Sequence, residues 1–327
     1  MATRGNDSAH DNAGMTLHLH GVTPLSDWGV LLAEGDDART FLHGQLTQDV
    51  LHLQPEAARL AAYCSPQGRV LASLLLLAHG PRDVFVLMSR DALPALLKRL
   101  RMFVLRAKVT LRDASVDFRL AGLAGDAMQT IAPHAGAVWS AARFTVKPEV
   151  PMNTAVVIEL PPVDGARRGL WLAPADSPLP HGAVLMPELW AWSEVAAGVA
   201  RIGSQMADAF VPQMLNYESV GAVNFKKGCY PGQEVVARSQ FRGSIKRRAW
   251  LAHADVPLPV GAELICSPDP EQSAGQIVQS AAAPQGGYDA IAVIQTSALD
   301  AAPLHLGAAD GSPVRLRPVP YPLLADV

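Results

Sequence analysis

The segment Asn224-Phe225-Lys226-Lys227-Gly228-Cys229-Tyr230-Pro231-Gly232-Gln233-Glu234-Val235-Val236-Ala237-Arg238 gathers a thiol, two lysines, two glycines, a proline and a Glu/Arg couple. Cys229 lies between Gly228 and Tyr230-Pro231-Gly232, so its backbone can take conformations that bulkier neighbours resist. After Pro231 the pattern turns helical: proline suits a first helical position, and Glu234 precedes Arg238 by one turn. That reading sets the sulfur at or just before a helix N-terminus with Lys226 and Lys227 nearby, and both features favour thiolate. A single cysteine near a turn is more often a small buried hydrophobe, so the rest of the chain has to decide.

A chain of 327 residues can bury a large core and is expected to divide into two or three domains. Apolar residues are 49% and charged ones 17%, which excludes a disordered chain. The net charge of -3 gives no general reason to expect nucleic-acid binding. Its distribution is uneven: Lys226, Lys227, Arg238, Arg242, Lys246, Arg247 and Arg248 face only Glu234 within 226–248, a local net of +6 that suits an anionic small molecule, a local nucleic-acid contact or a solvated face. The cysteines are Cys64, Cys229 and Cys266, too few for a disulfide framework, which fits a reducing compartment. Residues 1–15 read as a polar tail without the apolar stretch of a signal peptide. The longest apolar run, Val70 to Ala78, is too short to cross a bilayer, so a cytoplasmic protein is expected.

Along the chain, a strand ending at Leu32 precedes a helix capped by Asp36 or Asp37, with Ala38, Phe41, Leu42, Gln45 and Leu46 at helical spacing. Gln45, Thr47 and Asp49 could line a cleft. Leu60 to Cys64 and Arg69 to Ala78 read as a hairpin around Ser65-Pro66-Gln67-Gly68. A strand at Val84 to Met88, a helix from Asp91 to about Val104 and a strand at Lys108 to Arg112 complete an α+β unit with an antiparallel sheet. A second such unit follows: strands at Phe118 to Leu123, Val156 to Leu160 and Leu170 to Ala173, a short helix near Asp126 to Ile131, and a helix opened by Pro187. The irregular passage Met206 to Phe225 mixes polar and large apolar groups, as site-lining or capping loops do. Beyond a boundary near Ser244, short strands (Arg248 to Ala252, Glu263 to Cys266, Gln276 to Ser280, Asp289 to Ile294, Pro313 to Arg317) alternate with Pro/Gly turns, as in a small β-barrel or sandwich.

Lys226-Lys227-Gly228-Cys229-Tyr230-Pro231-Gly232-Gln233-Glu234, followed by Val235-Val236-Ala237-Arg238 and Phe241-Arg242-Gly243, resembles the signature of the YgfZ family of folate-binding proteins. Phe210-Val211-Pro212-Gln213 with Asn216, Phe41-Leu42-His43-Gly44-Gln45-Leu46-Thr47-Gln48-Asp49, and Ala62-Tyr63-Cys64-Ser65-Pro66-Gln67-Gly68-Arg69 resemble the same family, in the same order. The resemblance runs from about residue 28 into the C-terminal strands. It implies an α+β fold related to the T-protein of glycine cleavage: two ferredoxin-like subdomains over 16–244 around a central tetrahydrofolate cavity, and a C-terminal β-barrel over 245–327. It also implies a role in forming or maintaining iron–sulfur clusters in client enzymes, including some that modify tRNA. Where the T-protein carries its catalytic carboxylate stand Ala72 and Ser73, and neither can hold a negative charge at neutral pH. Aminomethyl transfer is therefore not expected. Where the T-protein reads the pterin with a Glu stands Ala196, with Glu194 two positions earlier as a substitute if the backbone shifts.

The resulting expectation is an accessory factor for iron–sulfur proteins with Cys229 as its reactive group, able to ligate soft metals, attack electrophiles or be reversibly oxidised. Lys226 and Lys227 would lower its pKa or hold the glutamate tail of a folate. Gln233 and Glu234 would fix the loop by bonding backbone donors at the helix start. Tyr230, Arg238, Gln213, Asn216 and Glu194 complete the residues expected around the folate. Expected partners are a folate-like small molecule and iron–sulfur client proteins or assembly factors; direct nucleic-acid contact and a membrane are not expected. A folate-dependent one-carbon transferase and a non-catalytic folate-sensing scaffold are the alternatives. No Gly-x-x-x-x-Gly-Lys-Ser/Thr loop occurs, which excludes a P-loop GTPase.

Overall fold

The computed structural model describes residues 19–134, 136–145, 154–243, 245–266, 269–299 and 303–324. The polar tail expected over 1–15 and the boundary residue Ser244 lie outside them. The chain opens with β1 (Gly21–Pro24), β2 (Trp28–Glu34) and α1 (Ala38–His43). Then come β3 (Ala58–Cys64), β4 (Val70–His79), β5 (Asp83–Ser89), α2 (Leu93–Arg101) and β6 (Thr110–Asp113). A second group holds β7 (Phe118–Ala124), α3 (Asp126–Ile131), β8 (Ala141–Thr145), β9 (Thr154–Val163), β10 (Ala166–Pro174) and α4 (Pro187–Ala196). After α5 (Gln233–Phe241) follow β11 (Arg247–Ala254), β12 (Glu263–Cys266), β13 (Asp269–Ala282), β14 (Tyr288–Gln295), β15 (Leu304–Leu306) and β16 (Pro313–Arg317).

These strands make two five-stranded antiparallel sheets, ordered β3-β4-β5-β2-β6 and β1-β7-β10-β9-β8, and a closed barrel ordered β11-β14-β13-β12-β15-β16. The α+β reading with a C-terminal barrel is therefore what the chain adopts. Several pairings depart from sequence order, and β1 is the one that leaves its own unit: it pairs with β7, from Gly21 opposite Ala124 to Pro24 opposite Ala121. Four residues carry too little pattern to say which sheet they join. The three-residue β15 is absent from the sequence reading for the same reason, yet it is held on both sides by β12 and β16.

Strand periodicity explains the layering. On β2, Val30 and Leu32 join a core shared by the two sheets, while Leu31 and Ala33 join the core under α1 and α2. On β4, Leu75 and Leu77 face the second sheet, and Leu74, Leu76 and Ala78 face the helices. Successive side chains of a strand point to opposite faces, so strands that are apolar throughout must be covered on both. The second sheet repeats the scheme, with Leu120, Ile158 and Leu170 toward the first sheet and Leu123 and Val157 toward Ala127 and Met128 of α3. Phe85 and Phe118 meet across the interface edge-to-face, ring centres 4.8 Å apart.

Helix ends differ from the sequence reading where distant residues take over the capping. Asp37 occupies the N-cap of α1 but makes no side-chain cap bond; its Oδ2 accepts from the Lys108 backbone at 2.7 Å. Helix α1 stops at His43 rather than including Gln45 and Leu46, and Lys227 Nζ donates to the carbonyls of His43 and Leu46. Asp91 does not cap α2; its carboxylate accepts from the Ser204 backbone and hydroxyl at 2.9 and 2.5 Å. The barrel is tied to the passage before α5 by a buried ion pair, Arg248 to Glu218 at 2.7 Å, with Arg248 also donating to Leu324 O at 3.1 Å.

The signature segment is seated by two glycines in backbone-to-backbone contact. Gly232 has φ +79° and Gly68 φ +73°. A Cβ on Gly232 would lie 2.4 Å from Ser65 O and 2.7 Å from Gly68 Cα. Gly80 has the same φ as Gly68, yet nothing lies within 4 Å of its Cβ position. Gly80→Ala should therefore cost only the left-handed strain, about 1–2 kcal/mol. Gly232→Ala should add a collision worth about 1–3 kcal/mol more. Chemical denaturation of the two variants side by side measures the difference.

Candidate functional site

Charged groups converge in a cavity between the two sheets, under α4. The space inside it that is open to a water-sized sphere is about 60 Å³, below the volume of a preformed ligand site. Trp28, Ser73, Trp139, Arg168, Glu194 and Arg201 are among its walls. Glu194 reaches it from α4 with no backbone shift: Oε1 accepts from Trp28 Nε1 at 3.3 Å, and Oε2 from Arg201 NH2 at 3.3 Å. Arg201 also pairs with Asp27 and lies over the Trp28 ring at 4.8 Å. Each Glu194 oxygen thus keeps acceptor capacity while its direction is set. Among the described lining residues Glu194 is the sole carboxylate.

The opposite charge comes from Arg168 on β10, a residue the sequence reading did not single out. It is 2% exposed, it donates to Pro161 O at 3.2 Å, and its guanidinium stacks over Trp190 at 4.7 Å. Burial lowers its pKa to about 10, which Glu194 partly counters, so it is still a cation at neutral pH. Trp190 can occupy its place because residue 122 is glycine; a Cβ there would lie 2.6 Å from the indole ring. The signal that could have found it is the Arg167-Arg168 pair that opens an otherwise apolar strand. The remaining cavity residues recover what α4 and β4 displace. Ser73, rather than Ala72, faces the cavity and accepts from the Ile202 backbone at 2.8 Å. Ala196 lies on a different face of α4, in a separate groove beside Trp192 and His253.

The signature loop forms a second constellation, apart from this cavity: among the described residues, none of Lys226, Lys227, Cys229, Tyr230, Gln233, Glu234 and Arg238 lines it. Cys229 is exposed, three residues ahead of Gly232, the N-cap of α5, rather than at the helix end itself. Lys226 is exposed, while Lys227 turns inward to the two α1 carbonyls and lies 4.7 Å over the Tyr230 ring. Burial pushes the Lys227 pKa down to about 8, against attraction from Asp49 and Cys229. His43 borders the loop: its Nε2 is 3.6 Å from the Cβ position of Gly228, and its Nδ1 lies 3.2 Å from Asp49 Oδ1. Burial and Lys227 lower the His43 pKa, outweighing Asp49.

The other expected site residues are placed as follows. Helix α5 has no side-chain cap bond, so neither Gln233 nor Glu234 caps it; Glu234 instead accepts from Arg238 at 2.9 Å on the exposed face. Gln213 is fully buried and donates to Val236 O at 2.7 Å, holding α5. Asn216, fully buried with φ +57°, donates to Ala249 O at 2.9 Å and so joins the passage to the barrel. Both amide nitrogens donate to backbone, while Gln213 Oε1 is buried without a donor. The Phe41–Asp49 motif does the same for the loop: Thr47 Oγ1 donates to Ala222 O at 2.7 Å, the Asn224 backbone donates to Thr47 O at 2.9 Å, and Gln48 donates to Gly221 O at 2.6 Å. Among the described residues no cluster of three or more His, Cys, Asp or Glu has metal-site geometry, and no helix is long and apolar enough to cross a membrane.

Two measurements follow from the loop. Cys64 is 1% exposed with its thiol pushed up to about 12 by burial, and Cys266 is 7% exposed. A disulfide reagent should modify Cys229 alone in the native protein and all three thiols after denaturation. For Lys227 the folded pKa of about 8 lies below its ordinary value, so between those values the folded chain binds fewer protons than the unfolded one. Wild type should therefore gain stability relative to Lys227→Met as pH rises from about 8 to about 10.4, measured by urea titration across that window.

Comparison with known proteins agrees with this architecture. No family model matches the chain. It is 31% identical over 245 residues to the tRNA-modifying protein YgfZ of Cronobacter sakazakii, covering 69% of each chain. It is 29% identical over 230 residues to an uncharacterized protein of Haemophilus influenzae, covering 69% of this chain and 71% of that one. Among solved structures it superposes on the glycine cleavage system aminomethyltransferase T of Bartonella henselae with a TM-score of 0.65, at 13% identity, over 92% of this chain and 86% of that one.

Proposed function

Because this chain belongs to the YgfZ family, we propose that it is a folate-binding accessory protein for forming or maintaining iron–sulfur clusters in client enzymes, and so acts indirectly on tRNA modification. The observation that carries this reading is a combination: a cavity with one oriented carboxylate and no second one, and an exposed thiol held outside it. In the cavity, Glu194 would accept from the amino edge of a pterin, with Trp28 and Arg201 holding its direction. A reduced folate would supply either one-carbon chemistry or a purely structural ligand there. The residues present favour the second: Ser73 stands where a transferase needs a carboxylate, and its hydroxyl is already engaged by the Ile202 backbone.

The thiol belongs to the client side of the function. Cys229 is solvent-exposed, on a loop clamped to α1 by Lys227 and to the β3–β4 turn by Gly232, so it is presented rather than buried. A single thiol can share iron with ligands that a client provides, or cycle through reversible oxidation. Lys226, exposed beside it, supplies local positive charge toward an anionic sulfur or an anionic client surface.

Calorimetry with tetrahydrofolate separates the two parts. Wild type and Cys229→Ala should bind equally, and Glu194→Gln should bind at least about tenfold more weakly, the worth of a charge-assisted hydrogen bond. In a strain lacking the endogenous gene, Cys229→Ala should fail to restore iron–sulfur enzyme activity although it folds and binds folate. Full rescue by that variant would leave only a folate-binding scaffold.

A further inference from the structure

A second hollow lies beside α2, bounded by Tyr63 and Leu96 of the core beneath the first sheet's helices. The space inside it that is open to a water-sized sphere is about 320 Å³, within the range of preformed ligand sites, and it shares no lining residue with the α4 cavity. Leu71, Leu96, Met102 and Ala207 give it an apolar body. Among the described lining residues the ionised groups are Lys98 and Arg99, both positive. Asp91, next in sequence to its Ala92 wall, is already engaged by the Ser204 backbone and hydroxyl. The other arginines of this unit are largely spent: Arg39, Arg59 and Arg101 donate to backbone carbonyls, and Arg82 and Arg112 pair with carboxylates. Arg99 differs. Its Nε is buried with no acceptor, and among the described residues neither it nor Lys98 has a carboxylate within ion-pair distance. It lies beside the Tyr63 hydroxyl, whose pKa burial raises and Arg99 partly lowers. Cations in the last turn of α2 favour its dipole, which accounts for their sign. It does not account for a donor sealed from water, which is costly unless an acceptor reaches it.

We propose that this pocket binds an amphipathic monocarboxylate, a medium-chain acid whose apolar body fills the hollow and whose carboxylate is taken by Arg99 and Lys98. The site is independent of the folate reading. A planar guanidinium matches the two oxygens of a carboxylate, and the lysine adds a charge on a flexible stem. The body needs no polar partner, because the Ser204 hydroxyl is spent on Asp91. From Leu93 to Lys108 the chain carries Lys98, Arg99, Arg101, Arg106 and Lys108 and no acidic residue, a local net of +5 on a chain of net -3. That field draws an anion to the opening. Met102 is 62% exposed where it meets the pocket, and its unbranched thioether can fold over a bound chain. A phosphate-bearing ligand fits less well, since the remainder of the lining is mainly apolar. A cationic amphiphile would add a third positive charge and leave Arg99 Nε unpaired.

The probe is octanoate, titrated into the full chain carrying isotope-labelled methionine methyl groups and followed by NMR, with octanamide and octylammonium as controls. The Met102 methyl signal, identified by its loss in Met102→Leu, should shift with a dissociation constant below about 1 mM. Octanoate should bind at least about tenfold more tightly than octanamide, the factor one charge-assisted hydrogen bond supplies, and octylammonium more weakly still. Lys98→Glu should weaken octanoate at least about tenfold and reduce its advantage over octylammonium. Ala95→Phe, at an exposed position of α2 that borders the hollow, should fill it and abolish the shift. A constant above about 1 mM, or equal affinity for the three probes, would overturn the assignment, the latter leaving only an apolar surface. A Met102 shift that Ala95→Phe does not change would place the binding elsewhere and overturn it too. Should a variant fail to fold, the wild-type preference for octanoate at Met102 decides by itself. The folate reading stands or falls separately, on tetrahydrofolate binding.

Discussion

The architecture depends on strands whose two faces are both apolar. Val30 and Leu32 of β2, with Leu75 and Leu77 of β4, bury against the second sheet, while Leu31, Ala33, Leu74 and Leu76 bury against α1 and α2. Such strands cannot sit at a solvent boundary, so the first sheet needs helices behind it and a partner sheet in front. Recruiting β1 into the second sheet laces the two units together, because the chain must cross between them before β2 begins. Covering one end of the shared core falls to α4, whose Trp190 lies flat against Gly122. The cavity is the part of that shared interior where Ser73, Arg168, Glu194 and Arg201 join a mainly aliphatic lining.

The chemistry of the cavity follows from that position. Groups facing into a shared core are desolvated, so each charge there must be paired or held for a ligand. Glu194 is of the first kind, fixed by Arg201 and the Trp28 indole. Arg168 is held by Pro161 O and the Trp190 ring, with its Nε left without an acceptor. The signature loop obeys a different constraint. Its polar residues are used mainly to satisfy backbone: Lys227 on two carbonyls of α1, Gln213 on Val236 O, Thr47 and Gln48 on the segment that leads to it. What those bonds achieve is a rigid platform on which Cys229 and Lys226 remain exposed. The motif looks like a ligand-binding cluster when written as a sequence, yet in three dimensions most of it is scaffolding for one thiol.

Much of this could be read in the residues. Strand alternation, the turn at Ser65-Pro66-Gln67-Gly68, Pro187 opening α4 and the Pro/Gly-punctuated barrel strands are local signals, and their elements formed where expected. Glu234 pairing with Arg238 one turn on is equally local. The readings that changed involve partners far along the chain. Helix α1 ends early because a lysine 184 residues from His43 takes its carbonyl. Asp91 is drawn off α2 by Ser204, and Asp37 off α1 by Lys108. Arg168 could not be recognised in its strand, because a charge gains meaning only from what lies across the cavity.

The sequence by itself determined the α+β units, the C-terminal run of short strands and the family signature, since periodicity, turn chemistry and residue type are properties of short segments. Only the tertiary structure decided that β1 belongs to the second sheet, that the Cys229 loop stands apart from the cavity, and that Glu194 and Arg168 both line it. Those are relations between side chains from strands and helices distant in the chain, and they exist only once the two sheets have closed on their common core.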